Sequence, residues 1–230
     1  MNLKAFLKDL LHTLLPELCM ACDDVLLAQE DILCTMCRYH LPLTDFHLDA
    51  ENETARQLLG KLDFQIAMSM LYFSKSSRAE RLLHQLKYGN KPQIGIFLGR
   101  MYGLTLKDIA FQQSFDMIIP VPIHRKKLRQ RGYNQAYQFV KGLSESLHIP
   151  AYENILERKV HSVSQTKKSR SERYDNVKGV FVVSKNSPSL KDKHILLVDD
   201  ILTTGATICE AGSVLCTAGA KVSILTIARA

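Results

Sequence analysis

Ile195-Leu-Leu-Val-Asp-Asp-Ile-Leu-Thr-Thr-Gly-Ala-Thr207 is the stretch on which the fold class turns. The four apolar residues 195–198 read as a short strand buried on both faces, the kind found in parallel sheets. Asp199 and Asp200 stand at its carboxyl end, the edge where open α/β sheets bind ligands. Thr203, Thr204, Gly205 and Thr207 follow as a small, hydroxyl-rich loop that runs into a helix. Exposed backbone N–H groups, hydroxyls and the helix dipole together make a phosphate cradle. Gly205 lets the backbone approach the anion with no Cβ in the way. Two carboxylates beside such a cradle would repel a bare phosphate. They make sense as acceptors for sugar hydroxyls, with Mg2+ nearby to balance charge. The implied ligand is a ribose 5-phosphate unit, with hydroxyls at one end and phosphate at the other. A P-loop is excluded, because no Gly-Lys-Ser/Thr follows.

Around this stretch, strand and helix signals alternate. Residues 67–73 read as a strand and 78–86 as a helix, ended by a turn at 87–90, and 94–106 resumes helical spacing. Residues 117–119 form a buried strand closed by Pro120 and Pro122. Asn134 can cap a helix whose inner face is Ala136, Phe139, Val140, Leu143 and Leu147. A strand at 177–183, a helix from about 206 to 218 and a strand at 222–228 complete the set. The alternation predicts an α/β domain with a mainly parallel sheet over 58–230. The polar stretch 49–57 reads as a linker to what precedes it.

Upstream, four of the six cysteines form Cys19-x2-Cys22-x11-Cys34-x2-Cys37. Two CxxC knuckles of this spacing complete a tetrahedral shell for Zn2+ over 19–48. A redox CxxC predicts a single motif opening a helix, two disulfides predict a secreted context, and neither pattern fits. All four positions are filled, so the metal is structural. His40 reads as a surface residue, and Cys209 and Cys216 as buried members of one helix face. Residues 1–18 carry Leu3, Phe6, Leu7, Leu10, Leu11, Leu14 and Leu15 at the spacing of an amphipathic helix, which we expect to pack on the ribbon. Lys8, Asp9 and His12 interrupt the apolar run and no small-x-small site follows, which argues against a signal peptide. With no transmembrane segment either, the expected location is cytoplasmic.

The chain has 230 residues, 46% of them hydrophobic and 23% charged, which excludes a disordered protein. Trp is absent and aromatics make up 7%, so the core is mainly aliphatic. The net charge of +7 is concentrated: residues 121–185 hold 14 Lys and Arg against 5 Asp and Glu. Such a segment suits phosphates on a small molecule or a nucleic-acid backbone, or is simply a solvated basic loop.

The stretch 195–207 closely resembles the phosphoribosyl-pyrophosphate (PRPP) signature of type I phosphoribosyltransferases. Ile119-Pro-Val-Pro122, Arg131-Gly-Tyr-Asn-Gln-Ala136 and Gln165…Arg170-x-x-Arg173-x-x-Asn176-x-x-Gly179-x-Phe181 are similar to signatures of the ComF family. The cysteine ribbon and Leu86-Lys87-Tyr88 match that family's layout as well, and the resemblance covers essentially the whole chain. It departs from the family at Lys168, a position commonly apolar.

The resemblance implies a phosphoribosyltransferase fold, PRPP and Mg2+ as ligands, and a link to DNA uptake in natural competence. By it, Asp199 and Asp200 hold the ribose hydroxyls, and Thr203, Thr204, Gly205 and Thr207 hold the 5-phosphate. The loop after Pro122 lies on the pyrophosphate side, with Arg131 and Asn134 as direct contacts. Arg125, Lys126, Lys127 and Arg129 are solvated or meet a nucleic-acid backbone. Residues 162–176 correspond to a flexible hood carrying Gln165, Arg170, Arg173 and Asn176, or to a plain mobile loop. Lys87 and Tyr88 belong to the pocket edge, unless Lys87 only answers a helix dipole. No residue stands out as the base for an acceptor; His124 and His161 are the candidates, and each also reads as a surface histidine. The implied partners are single-stranded DNA and a helicase-like ATPase. The competing functional reading is a non-catalytic single-stranded DNA-binding competence factor on the same fold.

Overall fold

A computed structural model describes residues 16–108, 111, 115–159 and 179–230. The helix expected over 1–18 lies almost wholly outside these residues. At its end Leu18 is not helical but forms an antiparallel bridge to Val25 within the cysteine segment.

Helix α1 (Thr35–Tyr39) opens beside the second cysteine knuckle, a 3-10 turn covers Phe46–Leu48, and α2 (Glu53–Leu58) precedes β1 (Ala67–Tyr72). Then come α3 (Arg78–Tyr88), α4 (Gln93–Asp108), β2 (Met117–Pro120), α5 (Arg125–Arg131) and α6 (Gln135–Leu147). A short pair, β3 (Leu156–Arg158) and β4 (Phe181–Val183), is followed by β5 (His194–Leu202), α7 (Ala206–Thr217) and β6 (Lys221–Arg229).

The main sheet has the order β1-β6-β5-β2, every neighbour parallel. Its strands read as continuous apolar runs because both faces are covered. Ile195 and Leu197 of β5 pack toward α2, α7 and the β3–β4 pair, while Leu196 and Val198 pack toward α3, α4 and α6. All four are fully buried. The cysteine segment joins the second of these cores: Cys19, Leu26, Leu33 and Cys37 pack in one apolar cluster with Met70, Leu82 and Leu98.

Helices α4 and α6 meet almost backbone to backbone. A Cβ added at Gly99 would lie 2.1 Å from the Phe139 carbonyl oxygen, and one at Gly142 would lie 2.1 Å from that of Ile96. Asn134 caps α6 as expected, accepting from the Ala136 N–H at 3.1 Å.

Four sequence expectations are corrected. Strand β5 does not stop at 198: Asp199 pairs with Thr226 and Leu202 with Arg229, because β6 extends alongside and its backbone groups need partners. The stretch 49–57 is not a linker. Asn52 is buried, caps α2 and donates to the Ala67 carbonyl at 2.8 Å. Thr54, Ser69 and Thr226 form a fully buried hydroxyl chain with contacts of 2.8 and 2.7 Å. These residues are polar because they satisfy one another inside the protein. The basic loop after Pro122 is helix α5, capped by His124 and closed by Gly132 at φ +78°. Of the strand expected at 177–183, only 181–183 is a described strand, and it pairs antiparallel with β3 outside the main sheet.

Gly142→Ala should therefore push α4 and α6 apart and cost about 1–3 kcal/mol, read as a lower urea midpoint with unchanged slope. An unchanged midpoint would show that the crossing tolerates a methyl group.

Candidate functional site

The end of β5 is organised around two adjacent carboxylates. Asp200 donates its N–H to Asp199 Oδ1 at 2.8 Å, and the Ile201 N–H donates to Asp200 Oδ1 at 2.6 Å. Lys87, from the last turn of α3, places Nζ 2.8 Å from Asp200 Oδ2, with the two side chains only 17% and 21% exposed. Burial pushes Asp199 up to about 7, and the neighbouring Asp200 charge adds to the effect. The Asp200 N–H, Lys87 and Arg158 pull it partly back.

Beyond the strand the chain turns into α7 through Gly205, at φ +81°. A Cβ here would meet Leu58 Cδ2 at 2.7 Å, so Gly205 is required by the side chain beneath it as well as by its backbone conformation. Gln57 donates to the Thr203 carbonyl, so α2, the supposed linker, buttresses this loop. Thr203, Thr204, Gly205 and Thr207 line a small cavity of about 40 Å³ bounded by Asp199 and Thr226. Its position at the N-terminus of a twelve-residue helix favours an anion.

A larger cavity, about 300 Å³, brings Asp199, Asp200, Thr203 and Thr207 together with Lys87, His124, Lys127, Arg131 and Arg158. Lys87 and Arg131 also line a second basic cavity of about 430 Å³. Arg131 Nη1 donates to Gln135 Oε1 at 2.8 Å, its guanidinium lies 5.1 Å from the Tyr88 ring centroid, and its buried Nε has no hydrogen-bond partner among the described residues. Asn134, expected as a direct contact, sits beneath the start of α6. It is buried, its Nδ2 donates to the Val121 carbonyl at 3.0 Å and its Oδ1 caps α6, so both ends of its side chain are engaged inside the protein. It positions the end of β2 and does not line the cavity. Gln165, Arg170, Arg173, Asn176 and His161 lie outside the described residues. Arg158 escaped sequence reasoning altogether, because three residues of strand carry too little pattern to be noticed.

At the other end of α3 the four cysteines converge, with all their sulfurs within 4.8 Å of one another. The Cys22 and Cys34 sulfurs are 3.7 Å apart, which matches the roughly 3.8 Å expected between thiolates bound at 2.3 Å to a tetrahedral ion. Burial alone would raise the Cys19 thiol, but N–H groups of Cys34, Ala21 and Cys22 outweigh it and bring it to about 7. These four residues fit a four-coordinate metal. Arg78 donates to Cys37 Sγ at 3.3 Å and Arg81 to the Ala21 carbonyl at 2.9 Å. Helix α3 therefore links the cysteine cluster to Asp200, and its eleven residues span about 16 Å.

The chain is similar to several known proteins over parts of its length. The family described as "Phosphoribosyl transferase domain" matches residues 134–230. Among solved structures, a Saccharomyces cerevisiae adenine phosphoribosyltransferase superposes with a TM-score of 0.39 at 18% identity, over 60% of this chain and 68% of that one. The allosteric regulatory enzyme of purine biosynthesis gives 0.42 at 16%, over 63% and 30%. The fold class is a type I phosphoribosyltransferase α/β sheet with a small N-terminal cysteine module. The chain is also 31% identical over 153 residues to "Competence protein F" of Haemophilus influenzae, covering 65% of this chain and 67% of that protein. It is 29% identical to "DNA utilization protein YhgH" of Escherichia coli over 142 residues, 60% of this chain and 61% of that protein. With "Competence protein ComFC" of Bacillus subtilis it shares 31% identity over 115 residues, 49% of this chain and 44% of that protein. The chain belongs to the ComF family.

The Asp199 shift makes a prediction. A carboxyl raised on folding contributes stability that is full below its usual value of 3.8 and is lost as the pH rises to about 7. Asp199→Asn removes this loss. In thermal melts the variant should gain on the parent from about pH 4 upward and level off above about pH 7. A difference that does not change with pH would contradict the burial of Asp199.

Proposed function

We propose that this chain binds PRPP with Mg2+ and transfers its ribosyl 5-phosphate to an acceptor. The observation supporting this is convergence: the carboxylate pair, the threonine loop and a set of cations from α3 and α5 line one cavity. The ribose hydroxyls donate to Asp199 and Asp200. The 5-phosphate accepts from N–H groups and hydroxyls of the 203–207 loop. In transfer, the bond from ribose C1 to the diphosphate oxygen breaks as an acceptor lone pair bonds to C1 from the opposite face. Configuration inverts, and pyrophosphate leaves with the electron pair. Lys87, Lys127 and Arg131 stabilise the charge that develops on it. Mg2+ held beside Asp199 and Asp200 would supply the charge that lets two carboxylates and a diphosphate share one cavity. The four cysteines hold Zn2+ as a structural ion with no open position, and reduced thiols suit a cytoplasmic setting. No helix among the described residues is long and apolar enough to cross a membrane.

A second reading, a single-stranded DNA-binding competence factor, is favoured by α5. Its Arg125, Lys126, Lys127 and Arg129 are exposed, and among the described residues none forms an ion pair. The relatives' names, competence and DNA utilization, point the same way. This reading requires oligonucleotide affinity that falls steeply with salt.

Calorimetric titration of PRPP with Mg2+ should give saturable binding, lost in Asp199→Asn and Asp200→Asn. Affinity should strengthen between pH 6 and 8, because ligand hydroxyls bind the ionised form of a carboxyl that titrates at about 7. Failure of the parent chain to bind removes the sugar-phosphate reading and leaves the DNA reading. Elemental analysis should find about one zinc per chain, lost in Cys37→Ser together with thermal stability; a metal-free parent chain of full stability would contradict the structural role.

A further inference from the structure

Three of the four clustered cysteine sulfurs are closed off inside the protein and one is not. Cys19, Cys34 and Cys37 are buried, whereas Cys22 is half-buried. Among the four it alone borders a cavity of about 390 Å³, shared with His40, Ser77, Arg78 and Arg81, which leaves its sulfur open to a small solute. Its hydrogen bonding differs as well. Cys19 accepts from the Cys34 N–H at 3.4 Å, Cys34 from the Cys37 N–H at 3.4 Å, and Cys37 from Arg78 Nε at 3.3 Å. Such donors draw charge off a thiolate and blunt it as a nucleophile. Cys22 has the Asp24 N–H beside it, but the Asp24 carboxylate lies 3.1 Å from the same sulfur. A coordinated thiol is deprotonated by its metal, and that carboxylate then concentrates charge on the Cys22 sulfur.

We infer that Cys22 is an oxidation site at which a hydroperoxide opens the cysteine cluster and releases its metal. The inference rests on the zinc reading above. The Cys22 sulfur attacks one peroxide oxygen, the O–O bond breaks, and hydroxide leaves with the electron pair, which gives a sulfenic acid. Arg78 and Arg81, on the wall of the cavity, stabilise the departing anion. The Cys34 sulfur, 3.7 Å away, then attacks the oxidised sulfur and displaces a second hydroxide, closing a disulfide. Two thiolates have lost two electrons, and the peroxide has become two hydroxides, which solvent protonates. Cys19 and Cys37 cannot complete a tetrahedral shell by themselves, so Zn2+ is released.

The test treats the zinc-loaded full chain with hydrogen peroxide while a chromogenic chelator reads zinc release, and maps every thiol by mass spectrometry with a sulfenic-acid trap. Cys216, half-buried but outside the cluster, is the internal comparison. The parent chain should release about one zinc per chain, with the trap on Cys22 and a Cys22–Cys34 disulfide formed while Cys216 is still reduced. Cys22→His, which keeps a fourth ligand without its sulfur, should hold its zinc under the same treatment. If Cys22→His does not take up zinc, the thiol map of the parent chain decides. First oxidation at Cys19, Cys34 or Cys37, zinc retained until Cys216 is oxidised, or release from Cys22→His at the parental rate overturns the inference and leaves the zinc site standing. A reduced parent chain that takes up no zinc overturns both.

Discussion

The structure depends on keeping two neighbouring carboxylates at the half-buried end of a parallel strand. Asp199 and Asp200 repel each other, and burial disfavours charge on Asp199. The fold answers from separate elements: Lys87 from α3, backbone N–H groups of β5 itself, and the more distant Arg158 from β3. Each of these elements must end where it does for the pair to be tolerated. Under the proposed function, a ligand that brings hydroxyl donors and cations relieves this tension.

From that constraint the role of the cysteine module follows. Helix α3 delivers Lys87 at one end and is anchored at the other by Arg78 on Cys37 and Arg81 on the Ala21 carbonyl. The module packs in the same apolar core as α3 and α4, so it is a foundation for the helix. Helix α2 plays the matching part on the other side, holding the 203–207 loop through Gln57 and Leu58. Elements from both faces of the sheet thus meet at the end of β5 and the loop that follows it.

What was legible in the sequence was whatever apolar periodicity records. The strands around 117–119, 195–198 and 222–228 and the helix capped by Asn134 stand close to where their patterns put them. Polar burial was illegible. Asn52 and Thr54 look like linker residues until Ala67, Ser69 and Thr226 are seen to satisfy them. Helix α5 buries no residue, so it has no apolar stripe to betray it. Within the site, the carboxylates and threonines were readable because their chemistry is local. Arg158 and the pairing of Lys87 with Asp200 were not, because both arise from tertiary approach across long stretches of chain. Asn134 shows the converse: its capping role was local and readable, while its bond to the Val121 carbonyl, which holds it inside the protein, was not.

The most direct test is amide hydrogen exchange on the full chain with and without PRPP and Mg2+. A ligand seated at the end of β5 must engage N–H groups of the loop that leads into α7, so exchange at 203–207 should slow markedly while the outer turns of α4 keep their rates. Equal exchange at 203–207 in the two states, at PRPP concentrations in the millimolar range, would contradict the claim that this loop is a sugar-phosphate cradle.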